Sequence, residues 1–171
     1  MKFTLTSLLL VVYFFAAGQV APASTGKVQF EDLKIDSSIT GFHFAANFQG
    51  TVVYTKNGPS DIKSVNPSAF SFTLAPNMSA KVALDQFEQF VAFSKQLNNT
   101  LSDVVKKDTT LHGNPAYYVS YTESNEKTNY KNFVFNAYVI KDNTLIVFAS
   151  GDLDKGIYID KFKKTFYSIK L

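Results

Sequence analysis

The side chains that could do chemistry in this chain are few and scattered. There are two histidines, His43 and His112, and no cysteine, so thiolate catalysis and iron–sulfur ligation are excluded. Neither histidine has a Cys or Glu at ligand spacing, and both read as structural or solvated residues. Asp152 and Asp154, followed by Gly156, begin a calcium-loop pattern but lack its later acidic ligand. Capping of a following helix accounts for both carboxylates. Glu123 and Asp142 are acids of the type that glycoside hydrolysis pairs, yet nothing in the sequence brings them to the needed separation. The nucleophile elbow, the zinc-protease motif and the phosphate loop are all absent. No catalytic residue, metal ligand or cofactor site is therefore assigned.

What remains is recognition. Tyr118, Tyr130 and Tyr138 fall on strands that also carry Ser120, Thr122, Asn132 and Asn136. Tyrosine suits binding because it offers a large rigid area together with a hydroxyl. Tyr118, Asn136 and Tyr138 are the candidate binding surface, and the competing reading packs these rings under helices. Whether Tyr118 and Tyr138 share a face depends on the parity of the loop 124–129. Asn77-Met78-Ser79 and Asn98-Asn99-Thr100 match the glycosylation sequon, which matters only in a eukaryotic secretory host.

The elements that position these residues follow from hydrophobic period. Phe42, Phe44 and Ala46 alternate with His43, Ala45 and Asn47, and residues 51–55 follow the Gly50 break, which predicts two strands joined by a short turn. Phe70, Phe72 and Leu74 give a third strand, ended by Pro76. From Met78 the period becomes helical, with Ala80, Ala83, Leu84, Phe87, Phe90, Val91 and Leu97 on one face and Asn77 or Ser79 as cap. Residues 102–110 form an exposed or edge strand with Lys106, Lys107 and Asp108. A turn at His112-Gly113-Asn114-Pro115 returns the chain as strand 116–123, and 130–141 is the next strand. Asp142-Asn143 then turns into 144–150.

A two-residue turn there pairs Lys141 with Thr144 and fixes the register. Phe133, Phe135, Ala137 and Val139 then share a face with Ile146 and Phe148; Val134, Asn136, Tyr138 and Ile140 share the other with Leu145, Val147 and Ala149. Both faces are largely apolar, so this hairpin belongs at the centre of a sheet covered on both sides. A C-terminal helix capped by Asp152 or Asp154 supplies one cover through Tyr158, Phe162, Thr165, Phe166 and Ile169, with Lys155, Lys161, Lys163 and Lys164 toward water.

The first 23 residues read as an export signal: Lys2, the apolar stretch from Thr4 to Ala17, and the small-x-small Ala21-Pro22-Ala23, with cleavage after Ala23. The apolar run is short for a membrane span, so no integral membrane anchor is expected. Residues 24–39 are a lead-in, and 40–171 form a single domain large enough to bury its own core. Seventeen Phe and nine Tyr supply that core, since no disulfide can. All 17 basic residues are Lys, and the net charge of +3 is small. Without the bidentate fork of Arg, a dedicated nucleic-acid or phosphate reader is not expected.

The order of strands and helices, the Gly113-Asn114-Pro115-Ala116-Tyr117 turn, the hairpin at Asp142-Asn143 and the closing Tyr158-Ile159-Asp160-Lys161-Phe162 to Phe166-Tyr167-Ser168-Ile169 helix resemble the Mog1/PsbP-like superfamily over about residues 40–171. The chain departs from that pattern in having no Trp in its N-terminal strands. The resemblance implies an α+β fold, an α/β/α sandwich around a central antiparallel sheet of about six strands, and a non-catalytic binding or assembly role. It supplies no shared site residue. The expectation is an exported, soluble, non-catalytic protein, periplasmic or extracellular, that binds an envelope protein or a small apolar ligand and needs no cofactor. The rival is a hydrolase or metal-dependent enzyme acting outside the cytoplasm.

Overall fold

The computed structural model describes residues 28–48, 50–63 and 67–171, and the expected export signal with its cleavage point after Ala23 lies outside them. Its strands are β1 (His43–Phe48), β2 (Thr51–Thr55), β3 (Ala69–Pro76), β4 (Thr100–Leu111), β5 (Asn114–Asn125), β6 (Tyr130–Lys141) and β7 (Thr144–Asp152). Two α-helices are described, α1 (Ala80–Gln96) and α2 (Ile159–Ser168). All seven strands join one antiparallel sheet in the order β1-β2-β3-β7-β6-β5-β4. The expectation of about six strands is thus corrected to seven, because β2 pairs with β3 and carries the N-terminal hairpin into the same sheet.

Turn chemistry sets the central register. Asp142 and Asn143 both have positive φ, 47° and 60°, which fits the type I′ turn whose twist matches the flanking strands. Lys141 consequently pairs with Thr144, and Ala137 lies opposite Phe148. His112 and Gly113, at 49° and 79°, make the equivalent turn between β4 and β5.

The two faces of the hairpin divide as their period predicts. On one, Phe135, Ala137, Val139, Ile146 and Phe148 join Phe70 and Phe72 beneath Phe162, Phe166 and Ile169 of the α2 segment. Rings dominate this layer: Tyr54 stacks on Phe70 with centroids 4.8 Å apart, and Phe72 meets Phe148 edge-on at 5.0 Å. On the other face, Val119, Tyr121 and Val134 lie under Phe87 and Phe90 of α1, and Tyr138, Leu145 and Val147 pack beside Ala75 and Met78. Val28 and Leu33 of the lead-in are buried in the α2-side core, so this segment contributes packing.

Three local readings change. A bulge between Phe44 and Ala46 breaks the strict alternation in β1, so Ala45 is buried while Phe44 is half exposed at 52%. Ser79 occupies the α1 cap position without a side-chain bond, and Asn77, at φ 60°, instead accepts from Asn143 Nδ2 at 2.6 Å. Helix α2 begins later than the period suggests, because Lys155 and Gly156 are left-handed and separate it from the acids. Its cap residue is Tyr158. Buried Asp152 organises the approach instead, accepting the main-chain N–H of Asp154 at 2.8 Å and that of Tyr158 at 2.5 Å.

Candidate functional site

The sheet ends at β4, and this edge lies beside the flank of α1. The helical stripe that the sequence predicts places Phe87 and Phe90 on Tyr121, with centroids 5.5 and 5.7 Å away. Val91 follows Phe87 by four residues and so stands on the same flank. Between that flank and the edge strand lies a groove of about 520 Å³, with Phe87, Val91, Leu101 and Val104 supplying apolar wall and Lys95 and Lys106 at its rim. Lys106 lies over the Phe87 ring, 4.8 Å from its centroid, and pairs with Glu88. β4 also bulges here: Asp103, at φ 55°, sits where Ser102 and Val105 oppose Thr122 and Ser120. The extra residue leaves Val104 44% and Val105 47% exposed.

A buried carboxylate braces the groove from behind. Glu123 is 2% exposed near the end of β5. Ser94 Oγ and Asn99 Nδ2 donate to its Oε1, the latter at 2.8 Å, and Tyr130 Oη donates to Oε2 at 3.1 Å. Asn125 extends the network, donating to Asn99 Oδ1 at 2.8 Å and to the Leu97 carbonyl at 3.2 Å. One acid thereby holds together the last turn of α1, the connection into β4, the end of β5 and the start of β6. Neither of the ion pairs among the described residues includes it. Sequence reading considered Glu123 only as half of a catalytic pair with Asp142, which lies in the exposed β6–β7 turn. Its strand parity gave the available signal: Glu123 continues the row of Val119 and Tyr121, which α1 covers.

The three residues of the expected binding surface are not brought together. Tyr118 pairs with Ala137 and packs on Phe135, 5.4 Å between centroids, on the α2 side. Asn136 and Tyr138 lie on the α1 side, 4% and 5% exposed. Asn136 Oδ1 accepts the Ser150 N–H, and Tyr138 lies beside Tyr117 at 6.3 Å. Burial first, and then the neighbouring Tyr117, push the Tyr138 phenol far above its ordinary range.

The remaining sequence candidates are also separate. His112 Nε2 is 2.7 Å from the Ile169 carbonyl and ties the β4–β5 turn to the end of α2. His43 is exposed on β1. Among the described residues no three His, Asp or Glu side chains gather as metal ligands. No described helix is long and apolar enough to cross a membrane, which leaves strand-built spans unaddressed.

A seven-stranded antiparallel sheet with α1 on one face and α2 on the other defines an α+β sandwich of PsbP-like fold. It is similar to the solution structure of cyanobacterial PsbP from Synechocystis sp. PCC 6803, with a TM-score of 0.50 and 14% identity over 86% of this chain and 96% of that one. A Pseudomonas aeruginosa protein of unknown function, PA94, also aligns, with a TM-score of 0.47 and 9% identity over 72% of this chain and 84% of the other. No protein-family model matches the chain, and no curated protein does.

Proposed function

We propose that this chain is an exported, non-catalytic binding protein of the PsbP-like type that receives a partner protein of the envelope in the groove between α1 and β4. The observation that carries the reading is the groove itself, a cleft of about 520 Å³ in which the apolar wall of Phe87, Val91, Leu101 and Val104 meets Glu88, Lys95, Asn99, Thr100 and Lys106, opening at a sheet edge with no strand beyond it among the described residues. Clefts that combine apolar wall with convergent polar groups are a usual form of binding site. The fixed network behind it, centred on Glu123, holds the two walls at their spacing and so prepares the cleft before a partner arrives. Export is supported by Lys2, the apolar stretch behind it and Ala21-Pro22-Ala23.

A photo-crosslinking residue placed at Val104 tests this in intact cells of the native host, with the same residue at Asp142 as control. One defined adduct from Val104 that Val91→Lys abolishes is the expected result. No adduct from Val104, or the same adducts from Asp142, overturns the reading. The mature chain isolated from such cells should begin at Ser24, as terminal sequencing will read.

A further inference from the structure

β4 is twelve residues long, pairs only with β5 among the described residues, and leaves the main-chain groups of its outer edge without a neighbouring strand. Such an edge pairs readily with any extended chain unless charge or distortion prevents it. Here both are present: the bulge at Asp103 disrupts the upper part, and Lys106 and Lys107 sit side by side in the lower part. Consecutive strand residues point to opposite faces, so an incoming strand meets positive charge on each side of the sheet. Lys106 lies on the α1 face, where Glu88 pairs with it; Lys107 lies on the α2 face opposite Tyr118 and has no ion pair among the described residues.

Resting on the groove as the binding site, we infer that its partner docks by strand addition, as an extended segment carrying carboxylates that face Lys106 and Lys107 and apolar side chains that enter the groove. Three observations select this occupant. An antiparallel pairing of β4 with a second copy of itself, centred on the exposed stretch 104–108, sets Lys106 against its own copy, and like charges so placed are destabilising. An uncharged strand leaves the Lys107 ammonium, which has no ion pair among the described residues, without compensation as it approaches. Asp103 and Asp108 flank the lysines, so the acids of the incoming segment must lie opposite 106–107 and give way to neutral or basic residues on either side. That pattern fixes one register, while main-chain bonds supply affinity and the side chains in the groove supply selection.

Two blocked eight-residue probes of alternating Thr and Val test it, one with Glu-Glu at its centre and one with Lys-Lys, added to the full mature chain. Amide NMR and hydrogen exchange locate the binding. The Glu probe is expected to shift and protect amides of residues 101–108 with saturation, and to bind about tenfold or more tighter than the Lys probe, a gap that narrows in high salt. Lys107→Glu, which keeps the Lys106 contacts with Glu88 and Phe87, should reduce the preference, and Lys106→Glu with Lys107→Glu should reverse it. Equal binding of both probes overturns the acidic partner, and protection elsewhere or none overturns strand addition. If the Val104 adduct forms while the probes fail, the groove reading stands and this inference alone falls.

Discussion

The Asn136 side chain stands in for the backbone at the centre of the sheet: its Oδ1 accepts the Ser150 main-chain N–H at 3.1 Å, where the β6–β7 ladder opens between Val134–Gly151 and Ala137–Phe148. Ser150 Oγ closes the other half of the gap by donating to the Phe135 carbonyl at 2.6 Å. Both residues are at least nine-tenths buried, so neither freed group would find water.

Asn136→Ala should therefore destabilise the fold by about 2–3 kcal/mol, most of it the cost of an unpaired buried N–H. Asn136→Asp keeps an acceptor but buries a charge with no cation beside it, and should cost at least as much. Urea unfolding of the two variants checks this. Loss of less than about 0.5 kcal/mol in Asn136→Ala would show that the opened ladder can close on itself.

Tyr121 makes stability depend on alkaline pH. Burial first, and the nearby Glu123 carboxylate second, raise its pKa well above the ordinary 10.0. The folded chain thus holds the phenolic proton more tightly than the unfolded chain. This contribution is whole below the unfolded value near 10.0 and is lost as pH rises from there toward the folded value. Unfolding midpoints measured from about pH 8 to 11 should fall at the upper end, and Tyr121→Phe should flatten part of the fall. Tyr138, Tyr117 and Tyr54, each raised chiefly by burial, add to the fall in the same direction.

Much of the sheet was legible because its central hairpin is written twice, once in period and once in turn chemistry. Asp142-Asn143 fixes the register of β6 on β7, and both rows of side chains are apolar, so the central position and two covered faces follow. Tyr118 escaped the same logic. Its face relative to Tyr138 turns on how the short helical turn Glu126–Thr128 spends its residues, and only the final pairing of Tyr117 with Tyr138 settles it. β1 was misread for a related reason, since a bulge changes parity and local sequence does not mark it. The groove was invisible because it arises between α1 and β4. Its apolar residues look like ordinary core in either element alone.

Gly156 carries the conformational demand of the turn into α2. Its φ is 81°, and a Cβ there would lie 3.3 Å from the Phe133 ring. Gly156→Ala meets both strain and crowding, and should cost about 1–3 kcal/mol. Gly113→Ala, at φ 79° with open space around its Cβ position, meets only the backbone term and should cost less. Thermal unfolding of the two variants side by side separates the contributions.

Glu123 tests whether the network behind the groove positions it or merely fills space. Ala at this position leaves Ser94, Asn99 and Tyr130 without their common acceptor, and each buried donor so orphaned costs about 1–3 kcal/mol. Gln keeps the volume but turns one acceptor into a donor that faces donors, so a smaller loss of about 1–3 kcal/mol is expected. The informative comparison is made at a temperature where Glu123→Gln remains fully folded. A positioning role predicts that the Val104 crosslink weakens there while amide signals of β6, β7 and α2 stay in place, because Asn99 and the last turn of α1 have lost their tether. An unchanged crosslink in a folded Glu123→Gln chain would mean that Phe87 and Phe90, packed on Tyr121, hold α1 at its distance from β4 by themselves.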